Sequence, residues 1–305
     1  MIKKMRSFVR KLVSSVNIFH MIYIMLLVSK NKRFVQKRLS KMQVRRSEVK
    51  NLSEVIIEAK RKIKNKNSKV AHIIGSGWSL NQSKSIIQKS DFIIGFNFAA
   101  LSEIKFDVYF IEFGGYQYVD TSKLHADIVE KIVKPTDSLV YFKNVWDEKN
   151  DVKYMKDHVK GNIPFILDYL MPCLSPQNLP QVIKFSLDKK SNYLPQYSST
   201  AISSILLAYY LGFTDIVIHG LDFGGQYFYE TTDYDGNKLL VPTANKNNYY
   251  KKTSTNNQTH VTAIKATGIK AIIPVLAKLL KDRGVSLYSA SDLSPSSKLL
   301  PVFKT

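Results

Sequence analysis

Cysteine is almost absent: Cys173 stands alone in 305 residues, so the chain closes no intramolecular disulfide and offers no cysteine cluster with metal-ligand spacing. Acidic residues are scarce too, 24 against 45 Lys and Arg, and no repeat of solenoid length is visible. Hydrophobic residues at 45% and aromatics at 11% exclude disorder throughout and supply a core for one large or two smaller domains. The acid deficit is local. Residues 1–50 hold 14 bases and one acid, Glu48, and residues 51–69 hold six bases and two acids. Thus +17 of the net +21 lies before residue 70, and the remaining 236 residues carry only +4.

Leu12 to Ser29 contains no formally charged residue, and Lys3, Lys4, Arg6, Arg10, Lys11, Lys30, Lys32 and Arg33 flank it. Eighteen residues, with Ser14, Ser15, Asn17 and His20 among them, sit at the short end of what crosses a bilayer. Bases on both sides set no orientation, so a spanning helix and an interfacial one both stay open. No small-residue cleavage pattern follows Val28, which argues against a signal peptide. The expectation is a membrane-associating helical region over 1–50, with the membrane surface as partner; the alternative is a helix that is merely buried or that oligomerises. Residues 51–69 then form a basic linker or helix, and 70–305 the body. The basic run lacks the interleaved aromatics that would stack bases, so nucleic acid is not expected as a partner.

Strand-length apolar runs recur at Val70–Ile74, Phe92–Gly95, Val108–Ile111, Leu139–Phe142, Ile216–His219 and Val285–Tyr288, with helical patterns between or after them. Such alternation predicts an α/β fold with a Rossmann-like, mainly parallel sheet. Ser198, Ser199 and Thr200 cap a helix that Gly212 stops, and a second helix is expected over Ile264–Lys281. The first strand runs into Gly75-Ser76-Gly77-Trp78-Ser79-Leu80, where glycines permit a tight turn whose amides face an anion. No Lys-Ser/Thr ending follows, and Leu80 occupies a third-glycine position, so neither a P-loop nor a dinucleotide fingerprint is satisfied. Asn97 ends the second strand where an acid would meet a ribose; it is read either as a nucleotide contact or as a loop amide serving nearby backbone. Asp222 ends a later strand, as a ligand contact or a loop brace. His219 is expected to pack within the sheet.

These motifs, in this order, resemble the bacterial sialyltransferases of glycosyltransferase family 42 over most of residues 70–303. The family's Gly-Asn-Gly-Pro-Ser-Leu is similar to Gly75–Leu80, its Cys-Asn-Gln to Phe96-Asn97-Phe98, and its Thr-Ser-Gly helix start to Ser199-Thr200-Ala201. Its Gly-Ile-Asp-Phe is matched by Gly220-Leu221-Asp222-Phe223, ahead of Tyr227-Phe228-Tyr229. The closing Leu287–Ser291 and Ser294–Lys298 also resemble the family's. The resemblance implies a GT-A-like variant with a polar lid over Asp235–Thr259, moving a nonulosonic sugar from a CMP donor to a glycan or glycolipid acceptor with inversion, without metal or cofactor. It implies His260 as base and Tyr227 at the phosphate, with Gly75, Ser76, Gly77, Ser79, Asn97, Ser199, Thr200, Asp222 and Tyr229 binding the nucleotide sugar. Ser76 departs from the family's asparagine and Tyr197 from its arginine.

The implied location is the cytoplasmic face of the inner membrane; homo-oligomerisation stays open. Two alternatives remain. Asp233-Tyr234-Asp235 has a spacing used to hold a divalent ion with a sugar diphosphate, which would suit a metal-dependent phosphotransferase of pterin pyrophosphokinase-like type. The other is a membrane-bound nucleotide- or glycan-binding module without catalysis.

Overall fold

The computed structural model describes residues 17–41, 44–64, 66, 68–112, 126–143, 159, 161, 163–171, 176–188, 191–197, 199–236 and 268–304. Ten strands are formed among them: β1 (Val49–Lys50), β2 (Val70–Ile74), β3 (Phe92–Phe96), β4 (Val108–Glu112), β5 (Leu139–Lys143), β6 (Phe165–Ile166), β7 (Asp168–Leu170), β8 (Leu194–Gln196), β9 (Asp215–His219) and β10 (Ser286–Ser289). Eight build one sheet in the order β1-β6-β5-β4-β3-β2-β9-β10, while β7 and β8 pair separately. Every pairing in the large sheet is parallel. Both faces are covered, which explains why its strands read as unbroken apolar runs. Along β4, for example, Val108 and Phe110 enter one core, and Tyr109 and Ile111 enter the other.

Six helices are described: α1 (Asn17–Lys41), α2 (Leu52–Ile63), α3 (Leu80–Ser83), α4 (Leu179–Leu187), α5 (Thr200–Leu211) and α6 (Ile269–Lys281). Helix α5 packs on β2, β3, β8 and β9, and α2 lies against α5. Its boundaries follow its capping residues: the Ser199 side chain accepts the Ala201 N–H at 3.2 Å, and Gly212 ends it at φ +95°. The later helix begins at Ile269; residues 264–267 lie outside the described residues.

The body starts earlier than residue 70. Val49 and Lys50 pair with Phe165 and Ile166 at the sheet edge, so residues on both sides of the expected boundary at 50 belong to the fold. Helix α1 is docked as well, through buried Ile24, Val28, Val35 and Leu39. Each such side chain contributes about 1.5–3 kcal/mol of burial. Lys32 Nζ lies 5.4 Å and 5.1 Å from the ring centroids of Tyr169 and Tyr193, and Gln36 donates to Tyr193 Oη at 2.9 Å. Among the described residues no helix is long and apolar enough to cross a membrane.

From β2 the chain proceeds outward through β3, β4 and β5, then returns to lay β9 on the other side of β2 and β10 beyond it. The carboxyl ends of β2 and β9 therefore flank a topological switch point, where open parallel sheets leave a crevice.

Candidate active site

Two glycine turns meet in that crevice. Gly75 donates its N–H to His219 O at 2.9 Å, and Gly77 donates to Gly220 O at 3.0 Å. A Cβ on Gly75 would lie 2.8 Å from Gly220 O, and one on Gly77 would lie 2.3 Å from Asp222 Oδ2. Gly220 is itself left-handed at φ +59°. The glycines thus let two backbones touch, and the amides of Gly75 and Gly77 point at the β9 turn.

Asp222 braces this junction. Ser79 donates its N–H to Oδ2 at 2.9 Å and its hydroxyl to Oδ1 at 2.6 Å, and Ser294 donates to Oδ1 at 2.9 Å. Burial pushes the Asp222 carboxyl above its ordinary value, against the pull of these donors. Tyr227 is held to the first turn by a bridge with Gly77 and by the Phe228 N–H, which donates to Ser76 O at 3.1 Å. The Tyr227 ring stacks on Tyr229, with centroids 5.1 Å apart and planes at 12°; Tyr229 is buried edge-on to Phe98 and Phe228.

The cleft measures about 150 Å³, and Ser76, Gly77, Ser199, Asp222 and Tyr227 line it. The N-termini of α5 and α6 also open onto it, through Ser199 and Ile269, and neither has an acid in its first turn. Helix N-termini favour negative charge. The described lining holds no Lys or Arg; Lys270 stands next to Ile269 with Nζ 5.3 Å from the Phe223 ring centroid.

Thr200 and Asn97 turn to a second cluster that sequence reasoning missed. Lys143, its side chain fully buried, lies with Nζ 3.4 Å from Thr200 Oγ1 and 3.8 Å from Glu112 Oε2. Thr200 donates its hydroxyl to Glu112 Oε2, and Gln196 Nε2 donates to Glu112 Oε1 at 3.2 Å. Asn97, at φ +52°, accepts the Glu112 N–H on Oδ1 at 2.9 Å. This ion pair sits at the carboxyl ends of β4 and β5, adjoining the cleft wall at Ser199 and Ala201. A charged residue closing an apolar run was the available signal.

Behind the cleft floor, four buried groups form a chain. With both imidazoles neutral, bonding fixes the protons: His72 Nε2–H donates to Asp91 Oδ2 at 2.9 Å, His219 Nε2–H to His72 Nδ1 at 2.8 Å, and Ser83 Oγ–H to His219 Nδ1 at 2.9 Å. Burial lowers the His72 pKa, with Asp91 opposing, and lowers that of His219 well below its ordinary value.

Asp233 and Asp235 are exposed, while Tyr234 between them is buried and donates to Leu101 O at 3.2 Å. His260, Ser198 and the expected lid beyond Gly236 lie outside the described residues. No family model and no curated protein matches the chain. Among solved structures it is similar to the monofunctional alpha-2,3-sialyltransferase Cst-I from Campylobacter jejuni: 14% identity, covering 78% of this chain and 81% of that one, TM-score 0.43. The sialyltransferase CstII from Campylobacter jejuni, in complex with the substrate analogue CMP-3FNeuAc, gives 15%, 77%, 86% and 0.41. Overlaps this loose assign neither family nor activity.

Proposed function

We propose that the chain is an inverting, metal-independent glycosyltransferase that moves a sialic-acid-like sugar from a CMP donor to a surface glycan or glycolipid precursor, at the cytoplasmic face of the inner membrane. The observation that carries this reading is the set of neutral donors around the switch-point cleft. The first turn of α5, Ser76 and Tyr227 line a space whose described lining has no Lys or Arg, and both side chains carry hydroxyls. Helix dipoles and hydroxyls of this kind suit the charge of one phosphate, whereas a diphosphate ordinarily brings a divalent ion to offset its second.

In this reading Tyr227 stabilises the CMP leaving group and His260 takes the acceptor proton. Gly75, Gly77, Ser79 and Asp222 act by holding the turns that shape the pocket; Asn97 and Thr200, outside its described lining, act through their bonds to Glu112 beside it, and Tyr229 fixes the Tyr227 ring. The sequence resemblance supports the donor class. The test is a thermal shift with CMP, CDP, UDP and GDP, each in EDTA or Mg²⁺. Stabilisation by CMP in EDTA is expected, about 2.7 kcal/mol at a hundredfold excess over Kd. Stabilisation only by a diphosphate with Mg²⁺ would replace the proposal with the phosphotransferase that recruits Asp233 and Asp235.

A further inference from the structure

Helix α1 has two faces of matched spacing. Ile24, Val28, Val35 and Leu39 are buried against the body. The same pattern shifted by two residues, about 200° around a helix of about 3.6 residues per turn, gives Ile22, Leu26, Arg33 and Lys37. These point outward: Ile22 is 49% and Leu26 64% exposed, with Met25 at 55% beside them, and Lys30, Arg33 and Lys37 are exposed further along. The helix contains no Asp or Glu. Its outward side is therefore apolar at one end and, around Phe34 at 40% exposure, carries only positive charge at the other.

We propose that this face docks the protein on an anionic phospholipid surface. The helix lies in the headgroup plane, with Ile22, Met25 and Leu26 at the acyl boundary and Lys30, Arg33 and Lys37 on lipid phosphates. The inference rests on the membrane location proposed above and chooses between its two modes. A helix whose opposite face is buried in the protein core is not surrounded by lipid, as a lone span is. A second copy of the chain is a poorer occupant, because full overlap in parallel sets cations against cations, and full overlap in antiparallel sets them against Ile22, Met25 and Leu26.

The experiment is co-sedimentation of the full chain with phosphatidylglycerol–phosphatidylcholine vesicles and with phosphatidylcholine alone, at low and high salt. Binding to the anionic vesicles, reversed by salt, is expected. One cation near such a surface is worth about 1 kcal/mol, a factor of about five, so the Lys30→Gln, Arg33→Gln, Lys37→Gln triple variant should bind roughly a hundredfold more weakly. Ile22→Ser with Leu26→Ser should weaken binding as well. Wild-type binding by the triple variant overturns the proposal. So does retention through salt and alkaline carbonate, which marks a span, or a dimer in ultracentrifugation that Leu26→Ser abolishes. The CMP thermal shift is run on every variant. If CMP fails to stabilise even the wild type, the nucleotide reading falls while the vesicle result stands by itself.

Discussion

The buried chain Asp91–His72–His219–Ser83 makes a quantitative prediction about acid stability. Both imidazoles have folded pKa values below the 6.5 of an ordinary histidine, His219 well below. The unfolded chain therefore takes up protons that the folded chain refuses. Stability from these groups is complete above about pH 6.5 and is lost as pH falls from there toward the depressed folded values. From about pH 7 to about pH 5, each imidazole that stays neutral in the fold removes about 2 kcal/mol, so His219 alone costs about 2 and the pair up to about 4. Against a typical stability of about 5–15 kcal/mol this is a large fraction. The perturbation is His219→Gln, which keeps an amide donor and acceptor but does not titrate. At about pH 7 it should lose about 1–2 kcal/mol from imperfect hydrogen bonding. Between about pH 7 and about pH 5 its loss should be about 2 kcal/mol smaller than that of the wild type. Urea unfolding at the two pH values measures both numbers; histidines outside the buried chain cancel in the comparison, and His72, bonded to position 219, is held constant by running the same pair of proteins in a His72→Gln background. An identical pH dependence in the two proteins would refute the claim that His219 is held neutral.

The glycine junction predicts a contrast. Gly77→Ala, whose Cβ would meet Asp222 Oδ2 at 2.3 Å, should cost about 3 kcal/mol and abolish the CMP thermal shift. Gly212→Ala, with no atom within 4 Å of its Cβ but φ at +95°, should cost only about 1–2 kcal/mol and leave that shift intact. For the ion pair, Glu112→Leu leaves the buried Lys143 ammonium without its carboxylate and should destabilise by about 3–5 kcal/mol in urea. Adding Lys143→Met should recover most of this, and a double variant as unstable as the single would show that the pair is not the cause. His260→Ala should lower turnover about 10²- to 10⁴-fold while the CMP shift persists; wild-type turnover would remove His260 from the mechanism.

The six strands that sequence reasoning located are those long enough, at four or five residues, for an apolar run to stand out. Strands β1, β6, β7 and β8 have two or three residues each and leave no periodic trace, and their pairing is decided by tertiary context. The glycine turn, Asp222 and the helix start at Ser199 were legible because turn and cap chemistry are local. The partners of Asp222 were not, since Ser79 is 143 positions away and Ser294 is 72. Glu112 and Lys143 escaped for a different reason. The expected strands stopped at Ile111 and Phe142, one residue short of each, because a charge usually marks the point where a chain leaves the core. Here two opposite charges leave neighbouring strands at the same level and neutralise each other.

The central strand β2 has its first partner close by in β3 and its second, β9, nearly half the chain later; β10 and the Ser294 hydroxyl that secures Asp222 come later still. On a ribosome that adds about 5–20 residues per second, the first half-sheet emerges many seconds before the second. Through that interval β2 is an open edge, and the glycine turn has no opposing carbonyls to fix it. The switch-point cleft is thus among the last features to assemble, and no ligand can be held there before the segment carrying β9, β10 and Ser294 has docked.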